Sequence, residues 1–382
     1  MPRLSDPLQV KGLRLRNRLV MAPMVTGFAE DHRASPRQAA WYADHARAGA
    51  GMIIVESCAI VPDALLLPRL LGIWEDAQIP GLARIADAIR AEGIPAILQI
   101  VHGGARSWRE DLSLERVGPS PVPLMPGPAP RAMTEADIEA AIAAFARAAR
   151  RAVEAGFDGV ELHGAHYYLI SEFLSPYTNR RTDCWGGDRE GRSRMGREVV
   201  RAVRREVGAG FPLLCRMHAV EFVEGGMSSE DSVYFAGVLE KEGVDLIDAS
   251  GIGTSSQGNW EGRTFLNTSS VLPKGDNAGA FAPFTGKIRN AVHVPVIAVG
   301  KMGKPGLAQD VLDQGQADLI ALARQLIADP QAIRKILDGR EEEIERCQEC
   351  NLCFSSIRQG ALRCGVNHSL EEESFETERS PR

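Results

Sequence analysis

Apolar residues follow two alternating patterns along most of the chain. Short runs of consecutive apolar residues, typical of buried strands, precede longer segments in which apolar residues return every three or four positions, as on one face of a helix. In the segment 134–156, Ile138, Phe145 and Val153 share one face, and Thr134 precedes Asp137 in capping-box spacing. The alternation repeats about eight times, which predicts a series of strand–helix units.

Two architectures use such a series, a doubly wound sheet and a (β/α)8 barrel. The number of units favours the (β/α)8 TIM barrel, and no G-x-G-x-x-G motif follows a predicted strand. We therefore predict an α/β barrel over residues 1–340, a short cysteine-containing segment over 341–370, and a disordered polar tail over 371–382. The predicted strands are 19–24, 51–55, 95–101, 160–163, 212–218, 244–249, 295–300 and 318–324. The predicted helices are 36–49, 80–93, 134–156, 192–207, 228–243, 283–291 and 304–315.

Charge and hydropathy exclude several classes of protein. The net charge of −6, with no Lys/Arg stripe interleaved with aromatic residues, argues against a nucleic-acid-binding protein. No apolar run approaches the roughly 20 residues that a membrane span requires, and the N-terminus lacks the hydrophobic core of a signal peptide. We therefore expect a cytoplasmic protein without a membrane partner. A homo-oligomer is compatible with the sequence, which does not determine the oligomeric state.

Candidate catalytic residues follow the strand at 160–163. This strand ends in His163, with His166 and Tyr168 directly behind it. Three titratable or hydroxyl groups at one strand end need three partners, so they indicate a site more strongly than a lone structural histidine does. In a (β/α)8 barrel the carboxyl ends of all strands meet at one rim. The remaining residues at predicted strand ends are Met24, Thr26, Ser57, Cys58, Gln99, His102, Arg216, His218, Ser250, Gly300, Lys301, Ala323 and Arg324.

Six of these strand-end residues suggest the chemistry of a ligand. Gly300–Lys301 and Ala323–Arg324 each combine a small residue with a cation at the last two strands, where barrels commonly bind phosphate. Gln99 offers a donor and an acceptor in one planar group, and Arg216 offers only donors, which suits a site that accumulates negative charge. Together Gln99 and Arg216 fit the pyrimidine edge of a reduced flavin.

Motifs along nearly the whole chain resemble those of the old yellow enzyme family of FMN-dependent oxidoreductases. Several motifs in the same order are far more specific than any one of them. They are NRLVMAPM at 17–24, LGIW at 71–74, QIVHGG at 99–104, PS at 119–120, VELHGAHYY at 160–168, NRRTD at 179–183, GG at 186–187, Arg216, and ARQLIADP at 323–330.

The resemblance implies FMN across the barrel mouth and NAD(P)H as the hydride source. Pro23, Met24, Thr26 and Ser57 would lie beside the flavin ring, Gln99 would bond its pyrimidine, and Arg216 would face its N1/O2 side. Gly300, Lys301, Ala323 and Arg324 would hold the phosphate. His163 and His166 match the pair that binds a substrate carbonyl oxygen, and Tyr168 matches the tyrosine that delivers a proton. The implied substrate is an enone or enal whose activated C=C bond is reduced.

Four cysteines near the C-terminus form a C-x2-C-x2-C-x10-C pattern, which is typical of a metal site. They are Cys347, Cys350, Cys353 and Cys364. The segment resembles the [4Fe–4S] motif of the 2,4-dienoyl-CoA reductase branch, with one residue fewer in each of two spacings. Tetrahedral zinc accepts the present spacing as well, so zinc stays the alternative to the cluster. We expect no counterpart of that branch's downstream FAD and nicotinamide domains in this sequence.

Three other functions stay open at this point. The histidine that the dienoyl-CoA reductase branch carries after its sixth strand is absent from residues 251–260, so a dienoyl-CoA reductase is a weaker candidate than a general ene-reductase. An amine dehydrogenase or demethylase of the trimethylamine dehydrogenase type would use the same cofactor. A barrel aldolase or lyase would use the phosphate site for its substrate and Lys301, the lysine among the strand-end residues, as a Schiff base.

Overall fold

The predicted strands form a closed parallel barrel. Within the residues that the computed structural model describes, 1–275, 277–359 and 362–370, eight strands make up its wall. Each strand hydrogen-bonds to the next in chain order, and β1 pairs with both β8 and β2, which closes the ring. The strands are β1 (Leu19–Met21), β2 (Met52–Ala59), β3 (Ala96–Val101), β4 (Gly159–Gly164), β5 (Leu213–Glu221), β6 (Leu246–Ile252), β7 (Val296–Ala298) and β8 (Leu319–Leu322).

Helices connect the strands and cover the barrel. In α3, the Thr134 hydroxyl accepts from the Asp137 backbone N–H, and Asp137 bonds back to the Thr134 N–H, so the predicted capping box is confirmed. The helices are α1 (Pro36–Arg47), α2 (Ile79–Arg90), α3 (Glu135–Glu154), α4 (Arg189–Val207), α5 (Ser229–Lys241), α6 (Ala282–Arg289), α7 (Leu307–Asp313) and α8 (Ala332–Leu337). Short helices occupy Leu169–Leu174, Arg324–Ala328 and Leu352–Ser356.

Alternate residues of the strands pack into two separate cores. Val20, Ile54 and Ile97 point into the barrel, whereas their neighbours in the same strands pack against the helices. An N-terminal hairpin of Leu8–Val10 and Leu13–Leu15 adds its apolar side chains to the inner core. The hairpin therefore closes the barrel at the amino ends of the strands and leaves the carboxyl ends as the open rim.

The structure corrects several predicted boundaries. Strand β5 continues through Glu221 because it stays paired with β6, and β2 continues through Ala59 because it stays paired with β3, in both cases beyond the predicted end. Strands β7 and β8 are shorter than predicted. The segment after β6 contains an antiparallel hairpin, Thr254–Trp260 with Arg263–Ser269, that has no apolar alternation because most of it is exposed. The predicted disordered tail, 371–382, lies outside the described residues. None of the described helices is long and apolar enough to cross a membrane.

Candidate active site

A cleft of about 590 Å³ opens at the carboxyl ends of the barrel strands. Among the residues that line it are all but one of the predicted cofactor and catalytic residues: Pro23, Met24, Ser57, Gln99, His163, His166, Tyr168, Arg216, Gly300, Lys301, Ala323 and Arg324. The exception is Thr26, whose buried hydroxyl donates to Glu56 Oε1 at 2.7 Å. Its backbone N–H donates to the same carboxylate, so Thr26 supports the loop behind the cleft.

His163 lies at the end of β4 as a neutral hydrogen-bond donor. Its Nδ1 accepts from the Ala165 backbone N–H at 3.3 Å, which leaves the proton of the neutral ring on Nε2. Burial, followed by the positive charge of Arg216, holds the pKa of His163 well below its ordinary value. The ring centroid is 4.9 Å from that of His166 and 4.7 Å from that of Tyr168. The three predicted catalytic side chains therefore form one cluster on the wall of the cleft.

His166 is oriented by a hydroxyl on another strand. Its Nε2 lies 2.9 Å from Ser250 Oγ on β6, and Ser250 also accepts from Arg216 Nη2 at 3.3 Å. Because Arg216 can only donate, the serine proton is available to His166 Nε2, and the neutral ring then carries its own proton on Nδ1. Burial and the charge of Arg216 also hold the pKa of His166 well below its ordinary value. Both histidines are thus neutral N–H donors.

A buried acid pair lies beside this cluster. Arg216 on β5 stands between Glu161 on β4 and Asp248 on β6, and its Nη1 is 3.3 Å from Asp248 Oδ2. Burial, followed by the charge of Asp248, raises the pKa of Glu161 to about 8, and burial also raises the pKa of Asp248. The charge of Arg216 lowers the pKa of both carboxyl groups by less than burial raises it, so the pair retains a proton at neutral pH.

Gln99, which lines the cleft, is hydrogen-bonded to Glu161 of the acid pair. The Ser57 hydroxyl donates to Gln99 Oε1, and Gln99 Nε2 donates to Glu161 Oε1 at 2.7 Å. These two bonds fix the plane of the Gln99 amide. The second N–H of the amide remains for a ligand in the cleft.

The opposite end of the cleft carries cations at the ends of β7 and β8. Gly300 has a φ of 118°, and a Cβ there would lie 2.9 Å from the Phe281 ring, so the chain needs glycine at this position. The Lys301 ammonium is held by the Pro273 and Gly275 carbonyls, Asn277 and the Glu349 carboxylate. Arg324 Nη1 donates to Asn351 Oδ1 at 2.8 Å. Residues of the cysteine segment therefore bond both predicted phosphate-binding cations.

The cysteine segment lies against this end of the cleft. Cys347 and Cys353 line the cavity, and Cys364 is buried. Burial, with contributions from neighbouring thiols that include Cys364, raises the pKa of Cys347 and raises the pKa of Cys353 to about 11. Among the described residues, no group of three or more His, Cys, Asp or Glu side chains is arranged to hold a metal ion. The predicted metal site is thus a set of neighbouring thiols without a formed coordination geometry.

The donors in the cleft fit FMN. Arg216 Nε is buried and has no hydrogen-bond partner among the described residues, so a buried donor remains at the histidine end of the cleft. Gly300 allows close approach of the backbone at the other end, where Arg324 supplies a positive charge. Apolar residues such as Pro23 and Met24, which follow β1, also line the cleft. A planar ring with an electronegative edge and a phosphate tail matches this set of groups.

Comparison with known proteins agrees with this fit. The model of the NADH:flavin oxidoreductase / NADH oxidase family matches residues 3–343. The chain belongs to this family. The resemblance to old yellow enzyme is thereby confirmed, and membership supports FMN as the cofactor and NAD(P)H as its reductant.

Two curated relatives show how far the likeness extends. A metal reductase of Desulforamulus reducens is 38% identical over 97% of this chain and 54% of its own length. An NADPH dehydrogenase of Bacillus licheniformis is 37% identical over 86% of this chain and 92% of its own length. The chain therefore spans about half the length of the first relative and nearly all of the second.

Solved structures also include both longer chains, matched over about half their length, and a chain matched over nearly all of its length. The complex of 2-naphthoyl-CoA reductase matches 97% of this chain and 57% of its own, with a TM-score of 0.87 and 28% identity. Histamine dehydrogenase from Rhizobium sp. 4-9 matches 97% and 53%, with a TM-score of 0.83 and 30% identity. The old yellow enzyme homologue from Zymomonas mobilis matches 88% and 93%, with a TM-score of 0.73 and 28% identity. These matches support the barrel fold of this chain.

One of the alternative functions is now disfavoured. An aldolase or lyase is disfavoured, because the Lys301 ammonium is occupied by oxygen ligands and the family is one of flavin oxidoreductases.

The sequence analysis missed the role of the acid pair. Glu161 and Asp248 each interrupt an apolar strand, which indicates a buried charge. The contact of Glu349 with Lys301 had no such signal, since the two lie 48 positions apart.

Proposed function

We propose that this cleft reduces the activated C=C bond of an α,β-unsaturated carbonyl compound. The observation that carries the proposal is the pair of neutral histidines, His163 and His166, with ring centroids 4.9 Å apart on the cleft wall. When bound, FMN accepts hydride from NAD(P)H and supplies it to the β-carbon of the substrate. Gln99, Arg216 and Ser57 would hold its ring, beside Pro23 and Met24, and Gly300, Lys301, Ala323 and Arg324 its phosphate.

The histidines act on the carbonyl oxygen. Negative charge grows on this oxygen as hydride reaches the β-carbon, and two fixed N–H donors stabilise that charge. The bond from Ala165 places the proton of His163 on Nε2, and a bond donated by the Ser250 hydroxyl would place that of His166 on Nδ1. Tyr168, whose ring lies edge-on to His163, would deliver the proton to the α-carbon.

The cleft lining favours an uncharged, apolar substrate. Leu66, Leu67, Met125 and Val271 contribute apolar surface to the cleft that also holds the histidines. Among the described residues of the lining, the acidic side chain is Glu349, and it pairs with Lys301 at 2.7 Å. A cationic amine would therefore find no unpaired carboxylate in the described lining, whereas an enone needs none.

Anaerobic half-reactions test the proposal. Enzyme reconstituted with FMN and reduced with NADPH or NADH is mixed with 2-cyclohexenone, and the return of the oxidised flavin spectrum is followed in a stopped-flow instrument. Rapid reoxidation with formation of cyclohexanone is expected. A reduced flavin that stays reduced with every enone and enal tested would contradict the proposal.

Amine oxidation is the second candidate, because the histamine dehydrogenase structure matches 97% of this chain. Mixing oxidised enzyme anaerobically with histamine and with trimethylamine separates the two candidates. Bleaching of the oxidised flavin by an amine, together with inertness of the reduced enzyme towards enones, would replace the ene-reductase by an amine dehydrogenase. An α,β-unsaturated acyl-CoA thioester is a third substrate for the same assay, since its carbonyl would use the same histidines.

We also propose that Cys347, Cys350, Cys353 and Cys364 bind a [4Fe–4S] cluster, with zinc as the alternative. Their spacing supports a four-thiolate site, and Cys350 Sγ lies 3.3 Å from the position that a Cβ on Gly365 would take, which places it beside the Cys364 turn. Iron and acid-labile sulfide in anaerobically purified protein are the expected finding. Zinc without iron would reverse the assignment, and neither metal in wild-type protein would refute both.

A further inference from the structure

We infer that His218 and Glu221 are positioning residues that hold the His166–Tyr167 turn, and with it the His166 imidazole, in its working orientation. The inference rests on the proposed role of His166 as a donor to the substrate oxygen. Both side chains are fully buried, and neither is among the residues that line the cleft. Any effect they have on substrate binding must therefore pass through the residues they contact, which include His166 and Tyr167.

The turn after β4 has an unusual backbone that needs support. His166 and Tyr167 are consecutive residues with φ values of 62° and 53°, in the left-handed region that residues other than glycine rarely adopt. Such a conformation persists when surrounding contacts hold it. A change in these contacts would let the turn relax and would move the ring of His166.

A chain of hydrogen bonds supplies that support. The backbone N–H of His166 donates to His218 Nε2 at 2.5 Å, and His218 Nδ1 donates to Glu221 Oε1 at 2.8 Å. Because Nε2 of His218 accepts, the ring must carry its proton on Nδ1, which is the nitrogen that faces Glu221. The carboxylate of Glu221 therefore selects the tautomer that binds the turn.

The same carboxylate also holds the second residue of the turn. Glu221 Oε2 accepts from the Tyr167 hydroxyl at 2.8 Å, from Ser175 Oγ at 2.7 Å and from the Met227 backbone N–H at 2.8 Å. Glu221 thus contacts Tyr167 directly and His166 through His218. On the other side, the His166 ring meets Ser250, so the imidazole is fixed from both its backbone and its ring.

Two substitutions at His218 separate positioning from packing. His218→Leu keeps the volume roughly but cannot accept a hydrogen bond, whereas His218→Gln can accept from His166 N–H through its oxygen and donate to Glu221 through its amide. The first readout is hydrogen exchange of the 164–168 peptide, measured by mass spectrometry on the FMN-bound protein. The second is the affinity for p-chlorophenol, a probe whose oxygen can accept from the two histidines, measured from the change it causes in the absorbance of the bound flavin.

His218→Leu is expected to speed exchange of the 164–168 peptide and to weaken phenol binding, each roughly tenfold, at unchanged FMN content. His218→Gln is expected to stay within about threefold of the wild type in both. Ser175→Ala is the matched control, because it removes one bond to Glu221 Oε2 and leaves the His218 bond intact; it should not change phenol affinity. Should His218→Leu fail to fold, Glu221→Gln replaces it, since a neutral amide cannot accept from all four donors.

Two results would overturn the inference: unchanged exchange of the 164–168 peptide in His218→Leu, or equal loss of phenol affinity in His218→Leu and His218→Gln. His166→Ala distinguishes this failure from failure of the proposed function. If His166→Ala binds phenol as tightly as the wild type, the role of His166 in substrate binding is wrong. The exchange measurement on His218→Leu decides the structural part of the inference independently of that result.

Discussion

The two ends of the cleft use polar side chains in opposite ways. At the end of β4, His163 and His166 are neutral, and buried partners behind them set which nitrogen carries each proton. At the ends of β7 and β8, Lys301 and Arg324 are charged, and residues of the cysteine segment bond them from the front. Residues of the barrel hold the side chains at the histidine end, whereas the cysteine segment, which follows the barrel in the chain, holds those at the phosphate end.

This difference separates two tasks of a flavin enzyme. Neutral donors suit an uncharged substrate that develops charge only during the reaction, because a permanent positive charge would bind anions in the ground state. Fixed cations suit a phosphate that is charged at all times. The contrast predicts that changes at the histidine end alter catalysis and changes at the phosphate end alter cofactor affinity.

The largest expected effect is that of replacing both histidines with alanine. His163→Ala combined with His166→Ala removes both donors to the carbonyl oxygen, and enone reduction by the reduced flavin should slow at least about 100-fold. FMN content should not change, because neither ring holds the phosphate. The measurement is the stopped-flow rate of flavin reoxidation. Unaltered enone reduction in the double variant would show that the histidine end has no catalytic role.

The next effect concerns the phosphate end. Arg324→Gln removes a cation at the end of β8, and the dissociation constant for FMN should rise about 10- to 100-fold, as expected for a charged hydrogen bond. Fluorescence titration of apoprotein with FMN measures it. Arg340→Gln is the control, because Arg340 is an exposed arginine paired with Asp338 and Glu343 away from the cleft. Equal effects of the two substitutions would remove Arg324 from the phosphate site.

A third prediction concerns the buried acid behind Gln99. The pKa of Glu161 is about 8 in the folded protein, against an ordinary value of 4.5. Between these values the folded state holds a proton that the unfolded state has released, so stability falls as pH rises from about 4.5 to about 8, by up to about 1.4 kcal/mol per pH unit. Glu161→Gln cannot titrate and should lose this dependence. Unfolding midpoints in urea from pH 5 to pH 8.5 check it, and parallel curves for both proteins would contradict it.

The smallest effect should come from the contact between the cysteine segment and the barrel. Glu349→Gln removes the carboxylate 2.7 Å from Lys301 and leaves more positive charge at the cleft. FMN should therefore bind about two- to fivefold more tightly, and Lys301→Met should shift affinity the other way. Titration at low and high salt measures both, because added salt should reduce each difference. Shifts of the same sign would show that the two residues act through the fold and not through charge.

The sequence by itself determined the barrel and the set of polar strand-end residues from which the cleft is built. Local spacing can be read directly from a sequence. It determines the periods of strands and helices, the cap at Thr134 and the polar residues at strand ends. The rule that parallel strands end at one rim then brought residues as distant as Gln99 and Arg324 together. The described structure confirms that rim.

Tertiary structure alone decided which strand-end groups face the cleft and which are occupied behind it. Thr26 bonds to Glu56 and His218 bonds to Glu221 behind the cleft, whereas Lys301 lines the cleft and bonds to Glu349 there. Each choice depends on a partner from another part of the barrel or on a backbone conformation such as the left-handed turn at His166. Hydrogen-bond direction, burial and charge at a site are properties of such pairs, and a single position in the sequence does not carry them.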